Sequence, residues 1–263
     1  MFSTNSSAYK LFNENNLDFM KRLPDSSIDL ILTDPPYNLS QFSRGNIHLN
    51  NGKTINNKIA EWDSIPLNPN DYIEPFTRII KPTGNIFIFT SYSLLGKWYD
   101  AFNPLFSTFQ IFVWHKTTPT QSVYHNSFLN SCELVVCLWN KGHTWNFSSQ
   151  DQMHNFFECP SCMFPEKIIS PKHPTQKPLE LIEHLLLISS NPNDIIFDPF
   201  MGVGTTGEAA LKNNRRFIGI DIDEKYVKAC LYTNISYDQQ KYKSDMNTIP
   251  NSLMSRITML SFV

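Results

Sequence analysis

The chain has 263 residues, 41% apolar, 13% aromatic and 17% charged, enough to bury one sizeable core and so to form one domain with insertions. With 22 Lys and Arg against 24 Asp and Glu the net charge is −2, which excludes a histone-like basic coat and leaves any nucleic-acid contact to a local patch. No apolar run reaches the ~18–20 residues a bilayer demands, the opening MFSTNSSAYKLF lacks a signal-peptide core, and the five cysteines are an odd, scattered set; a soluble, cytoplasmic protein of a reducing compartment is expected.

In chain order, strands are expected over Tyr9 to Asn13, Asp29 to Thr33, Asn85 to Thr90, Phe109 to Trp114, Glu133 to Trp139, Asp194 to Phe197 and Arg216 to Ile220. Helices are expected over Leu17 to Leu23, Asp71 to Ile80, Ser93 to Phe102, Pro178 to Ser189, Thr205 to Asn213 and Glu224 to Thr233, several opened by Pro, Ser, Thr or an acidic residue. Short β-rich runs alternating with helix-length segments are the α/β signature. A loop of about twenty residues without helical pattern joins two of the strands, so those two are expected to pair antiparallel. The expectation is a seven-stranded, mostly parallel, doubly wound sheet with an antiparallel edge hairpin, in one domain over residues 1–238.

Three segments fall outside this scaffold. Residues 41–60 carry Arg44, Lys53 and Lys58 without an acidic residue, and a DNA-contacting loop is expected over 41–62. Residues 140–172 read as irregular, within a target-recognition insert over about 118–172. Residues 239–263 form a polar, then weakly apolar tail, either frayed or an interface.

Two motifs carry chemistry. Thr33-Asp34-Pro35-Pro36-Tyr37 follows the apolar run Ile28 to Leu32. An Asp at the carboxyl end of a buried strand points into the crevice where open α/β sheets bind ligands. Two prolines fix an extended backbone and remove two N–H donors, leaving the Pro35 carbonyl to accept. A carboxylate and a carbonyl together accept both hydrogens of one amino group, and Tyr37 offers a ring face, which suits a planar base bearing an exocyclic NH2.

The second motif runs from Asp198 through Pro199, Phe200, Met201, Gly202, Val203, Gly204, Thr205 and Thr206 to Gly207, between an expected strand and an expected helix. Gly202 and Gly204 allow a sharp turn and close backbone approach, and the helix start offers N–H groups. Asp221 closes the next apolar run, where an acid can hold both hydroxyls of a ribose. The glycine spacing also satisfies the generic dinucleotide pattern, so by itself it does not separate a nicotinamide enzyme from a methyl-donor enzyme.

In combination these motifs resemble the S-adenosylmethionine-dependent amino-methyltransferases of DNA, in the circularly permuted class where the DPPY motif comes first and the F-x-G-x-G cofactor motif last. The resemblance spans roughly residues 9 to 235. It implies catalysis by Asp34, Pro35, Pro36 and Tyr37. It implies cofactor binding by Asp198, Phe200, Gly202, Gly204, Thr205, Thr206 and Asp221. His173-Pro174-Thr175-Gln176-Lys177-Pro178 resembles the TQKP box beside the cofactor, which adds His173, Thr175 and Lys177 to that set. Trp114-x-Lys116-x-x-Pro119 resembles a segment near the target base, which places Lys116 with Arg44, Lys53 and Lys58 among DNA-binding residues. The chain departs from the family at Glu14-Asn15, where Gly-Asp is frequent, and at Ser131-Cys132-Glu133, where relatives often read Ser-His-Glu.

The resemblance implies direct methyl transfer to the exocyclic nitrogen of a flipped base, N6 of adenine because Asp stands first in the motif, with N4 of cytosine as the alternative. The expected cofactor is S-adenosylmethionine and the expected partner DNA, with a cognate restriction endonuclease and a second copy of the chain as further partners. No metal is expected, since Cys159 and Cys162 supply only half a zinc site. The competing readings are a nicotinamide-dependent oxidoreductase, methylation of RNA or of a protein glutamine, and a DNA-binding module without activity.

Overall fold

The computed structural model describes residues 8–37, 47–48, 54–55, 66–120, 125–171 and 173–230. Its strands are β1 (Tyr9–Asn13), β2 (Ile28–Thr33), a short pair β3 (Ile47–His48) and β4 (Thr54–Ile55), β5 (Ile80–Thr90), β6 (Thr108–Lys116), β7 (Cys132–Trp139), β8 (Phe156–Cys159), β9 (Ile195–Asp198) and β10 (Arg216–Asp221). Helices are α1 (Asn16–Met20), α2 (Ile73–Ile79), α3 (Tyr92–Phe102), α4 (Leu179–Ser189) and α5 (Thr205–Lys212), with a further helical stretch at residues 224–230.

The main sheet has eight strands in the order β1-β10-β9-β2-β5-β7-β6-β8. Every neighbouring pair runs parallel except β5 with β7 and β6 with β7. One strand, β7, therefore opposes the other seven. The class is the expected α/β sheet, but two details differ. β8 adds an eighth strand from within the segment read as irregular, pairing Val113 to Lys116 with Phe156 to Cys159. It covers the outer side of β6, so the antiparallel hairpin lies one strand in from the edge.

Burial alternates along the sheet as a doubly wound fold requires. Leu30, Leu32, Phe87 and Phe89 face one core with Leu181, Leu185 and Leu186 of α4 and Ala209 and Ala210 of α5. Ile31, Ile86 and Ile88 face the other, with Phe76 of α2 and Trp98 and Phe102 of α3. Because both faces are covered, β2 and β5 read as nearly continuous apolar runs.

The helix limits also have local causes. Asn15 caps α1, its side-chain oxygen accepting from the N–H groups of Leu17 and Asp18. The expected helix from Asp71 begins as a 3-10 turn over Pro69–Tyr72, and Ile80 already belongs to β5. Among the described residues, no helix is long and apolar enough to cross a membrane.

From β2 the chain crosses by α2 to β5 on one side, and from β9 it crosses by α5 to β10 on the other. The adjacent parallel strands β2 and β9 thus flank the topological switch point, where the carboxyl ends of the strands open a crevice. Residues Asp34 and Asp198 stand there.

Candidate active site

The crevice is a cavity of about 820 Å3 lined by both motifs, by residues 173–177 and by the first turn of α1. Asp34 to Tyr37, Asp198, Phe200, Gly202, Thr205, Thr206 and Asp221 all reach its wall, as do His173, Thr175 and Lys177. Arg44, Lys53 and Lys58 lie outside the described residues, as do most of the loop 41–62 and the tail 239–263. Within that loop residues 47–48 and 54–55 pair antiparallel.

On the β9 side, the carboxylates are held by neutral donors. Asp198 Oδ1 accepts from the Thr33 hydroxyl at 2.7 Å and from the Phe200 N–H at 3.0 Å. Burial pushes this carboxyl up to about 7, against those donors and that of Thr206. Asp221 accepts from the Gly202 N–H at 3.0 Å and the Asp223 N–H at 2.8 Å, and burial pushes it up to about 6. Holding the loop's own amide, Asp221 fixes the turn between β9 and α5 as well as facing the cavity.

The two glycines of this turn take left-handed backbone, with φ of +52° at Gly202 and +89° at Gly204. A Cβ on Gly204 would lie 2.1 Å from the Cys230 Sγ, so the helix at 224–230 packs directly on it. A Cβ on Gly202 would stand 3.0 Å from the His173 Nε2. Burial pushes His173 down to about 4, so it is a neutral ring between that glycine and Tyr226, whose ring meets it edge-on at 4.8 Å. Phe200 packs on Tyr72 at 5.7 Å between ring centroids, linking the turn to the 3-10 segment before α2.

On the β2 side the carboxylates are interleaved with two lysines, Lys177 buried and Lys116 half-buried. Lys177, 5% exposed, places its Nζ 2.5 Å from Asp34 Oδ2 and 3.2 Å from Glu133 Oε2. Lys116 pairs with the other oxygen of Glu133 at 2.7 Å. The Tyr37 hydroxyl donates to Asp34 Oδ1 at 2.7 Å and to Glu133 at 3.2 Å. Burial raises Asp34 above the usual carboxylate range, opposed by Lys177. Burial would also raise Glu133, but the two lysines outweigh it and bring that carboxyl below its ordinary value. Tyr37 is pushed well up by burial and by the two acids, so its hydroxyl keeps its proton.

Sequence reading brought Asp34, Tyr37 and Lys177 to this region but missed Glu133, which begins the buried run of β7. The available signal was a lone carboxylate heading that run, with no solvent-facing period to explain it. Lys116, expected at DNA, has its ammonium committed to Glu133, and Trp114 is buried with its Nε1 donating to the Cys159 carbonyl. Asn15 lines the cavity while capping α1. Burial pushes the thiols of Cys159 and Cys162 up to about 11 and about 12.

Comparison with known proteins places this geometry in a lineage. The chain is 31% identical over 236 residues to the type II methyltransferase M.HinfI of Haemophilus influenzae, covering 80% of this chain and 64% of that protein. It is 29% identical to the type II methyltransferase M2.MboI of Moraxella bovis, covering 86% and 88%. The chain thus spans just under two thirds of the first relative's length and most of the second's. Among solved structures, the S-adenosylmethionine complex of M1.HpyAVI superposes with a TM-score of 0.59 at 28% identity, over 85% of this chain and 98% of that one. The cytosine-N4-specific PvuII DNA methyltransferase gives 0.62 at 17% identity, over 87% and 86%, a likeness of fold. The model of the N6/N4 DNA methylase family matches residues 28–232, from the start of β2 through the described part of the helix that packs on Gly204, and the chain belongs to that family.

Proposed function

We propose that the protein methylates DNA, transferring a methyl group from S-adenosylmethionine to the exocyclic N6 of adenine in a flipped nucleotide, as part of a restriction-modification system. The observation that carries this reading is the juxtaposition of the two motifs in one cavity, at the ends of adjacent parallel strands. The residues on the β9 side fit the methyl donor. Gly202 brings the turn to the cavity wall, the carboxylate of Asp221 faces the cavity where a ribose needs acceptors, and the volume accommodates a nucleoside with its amino-acid arm. When bound, S-adenosylmethionine supplies an electrophilic methyl on a sulfonium.

The remaining work falls to the β2 side. Asp34 and the Pro35 carbonyl accept the two amino hydrogens, favouring the pyramidal nitrogen whose lone pair attacks and stabilising the positive charge that develops there. Tyr37 contributes ring surface to the base pocket and holds Asp34 through its hydroxyl. Afterwards the nitrogen releases one proton to water. Thr175, Phe200, Thr205 and Thr206 line the donor half, while Arg44, Lys53 and Lys58 contact phosphates from the loop at 41–62.

The test is to incubate the protein with methyl-labelled S-adenosylmethionine and unmethylated DNA, then digest to nucleosides. Label in N6-methyl-2′-deoxyadenosine is the expected result. Label in N4-methylcytosine would keep the reaction and change the base. No label in any nucleoside, with the donor bound, would remove the reading.

A further inference from the structure

Lys177, Glu133 and Lys116 do more than neutralise one another. Lys177 leaves the segment just before α4, Glu133 is the second residue of β7, Lys116 ends β6 and Asp34 follows β2, so four separate elements deliver one charge each to the same end of the sheet. The signs alternate along the contacts, from Asp34 to Lys177 to Glu133 to Lys116, and the four charges cancel. The ammonium of Lys177 also lies 5.3 Å from the Tyr37 ring centroid and 5.0 Å from that of Phe89. Apolar and aromatic surroundings thus close around a cation that has two carboxylates as partners.

Such an arrangement is costly as a structural device, because a buried ion network is often matched or bettered by apolar packing of the same volume. Its value lies in geometry. Asp34 sits on a loop after its strand, where only the two prolines hold the backbone, and its side chain has two torsions to fix. Tyr37 pins one carboxylate oxygen and Lys177 pins the other.

We propose that Lys177 is a positioning residue for Asp34, and that Glu133, itself anchored by Lys116, holds Lys177 in place, so that this chain of four side chains aims the Asp34 carboxylate at the amino group to be methylated. The proposal rests on the reaction proposed above. It gives Lys177 and Lys116 a role that differs from cofactor or phosphate contact, and it gives Glu133 a role in the reaction. The charged or titratable groups bearing on Asp34 are Lys177 before α4, Glu133 on β7, Tyr37 on its own loop and Asp198 on β9, with Lys116 on β6 one step removed.

The test reads the acid limb of the pH profile of kcat, where Asp34 loses its charge. Wild-type protein is assayed first: absence of methyl transfer would remove the reaction itself, and the positioning role with it. Given activity, Lys177→Met takes away the cation that favours ionised Asp34, so the acid limb moves up by about one unit or more and kcat falls about a hundredfold. Glu133→Gln removes a neighbouring negative charge, so the limb moves down, while kcat falls about tenfold because Lys177 and Tyr37 lose their anchor. Lys177→Arg restores the limb to its wild-type position. Calorimetry shows S-adenosylmethionine affinity within about twofold of wild type in every variant.

Opposite movements of the limb are the signature, since a purely structural defect shifts neither in a charge-dependent sense. Unchanged limbs, or a limb that moves down in Lys177→Met, would overturn the proposal. So would a Lys177→Met variant that keeps kcat and loses affinity for the methyl donor. If Lys177→Met does not fold, Glu133→Gln decides: a downward limb with reduced kcat supports the proposal, and a wild-type profile overturns it.

Discussion

Two pairs of carboxylates stand at the same end of the sheet, with Asp34, Asp198 and Asp221 on the cavity wall and Glu133 behind Lys177, and the pairs are treated in opposite ways. Asp198 and Asp221, at the ends of β9 and β10, are held by hydroxyl and backbone N–H donors, and burial pushes them up to about 7 and about 6. Asp34 and Glu133, at the ends of β2 and β7, are threaded between the buried Lys177, the half-buried Lys116 and a tyrosine hydroxyl. The first pair shapes a turn and, in the proposed function, offers acceptors to hydroxyl groups, a task that neutral donors can prepare. In the proposed reaction the second bears charge out of water beside a nitrogen that becomes positive, and it carries cations that bring Glu133 below its ordinary value and hold Asp34 in place. Environment, rather than residue type, divides the labour.

The largest effect expected from breaking this division is in paired substitutions. Asp34→Ala should lower kcat at least a hundredfold, about 3 kcal/mol of transition-state stabilisation, with donor affinity retained. Asp221→Ala should do the reverse, weakening donor binding about tenfold, the scale of one charge-assisted hydrogen bond. Calorimetry beside single-turnover kinetics separates the two, and a loss of binding in the first variant would merge the halves into one site.

Next in size is Gly204→Ala. Its Cβ would meet Cys230 Sγ at 2.1 Å on left-handed backbone, so thermal unfolding should report about 2–3 kcal/mol of lost stability. Adding Cys230→Ala should relieve the steric share and leave the backbone share. Full recovery in the double variant would mean that the turn tolerates an L residue.

Tyr37→Phe sharpens the other half. A ring requirement alone lets Phe substitute freely, but the hydroxyl donates to Asp34 and Glu133. A loss of about tenfold in kcat is expected, near 1.5 kcal/mol, and wild-type turnover would reduce Tyr37 to its ring.

The smallest effect concerns pH. The Asp198 carboxyl is raised from 3.8 to about 7 by burial, so the folded state favours its protonated form. That contribution to stability is complete below about 3.8 and is lost as pH rises through about 7. Unliganded wild-type protein should therefore lose a few degrees of Tm between pH 6 and pH 8 relative to Asp198→Asn. A constant difference across that window would show that Asp198 stays charged in the fold.

The β9 half and the Asp-Pro-Pro-Tyr motif were legible because each is local: an apolar run, an acid at its end and a turn of fixed residue types lie within a dozen positions. Seven strands were legible for the same reason. β8 was not, since Phe156-Phe157-Glu158-Cys159 is four residues long, lacks a clean alternation and gains its strand character by pairing with β6. The lysine and glutamate partners of Asp34 were hidden differently. Lys177 meets Asp34 across 143 residues of chain and Glu133 meets Tyr37 across 96, and spacing carries no trace of contacts that only the sheet order creates.

The pairing of β1 with β10 has a consequence for biogenesis. Tyr9 lies beside Phe217 and Asn13 beside Asp221, so β1 waits about two hundred residues of synthesis for the strand it pairs with among the described residues. The block from β2 to β8 can collapse meanwhile around contacts nearer in sequence, and β9 and β10 then dock on the exposed side of β2, carrying β1 with them. Until that step the nascent chain would present an unpaired β2 edge beside the crevice that both motifs line, so that crevice would be the last part of the sheet to be assembled.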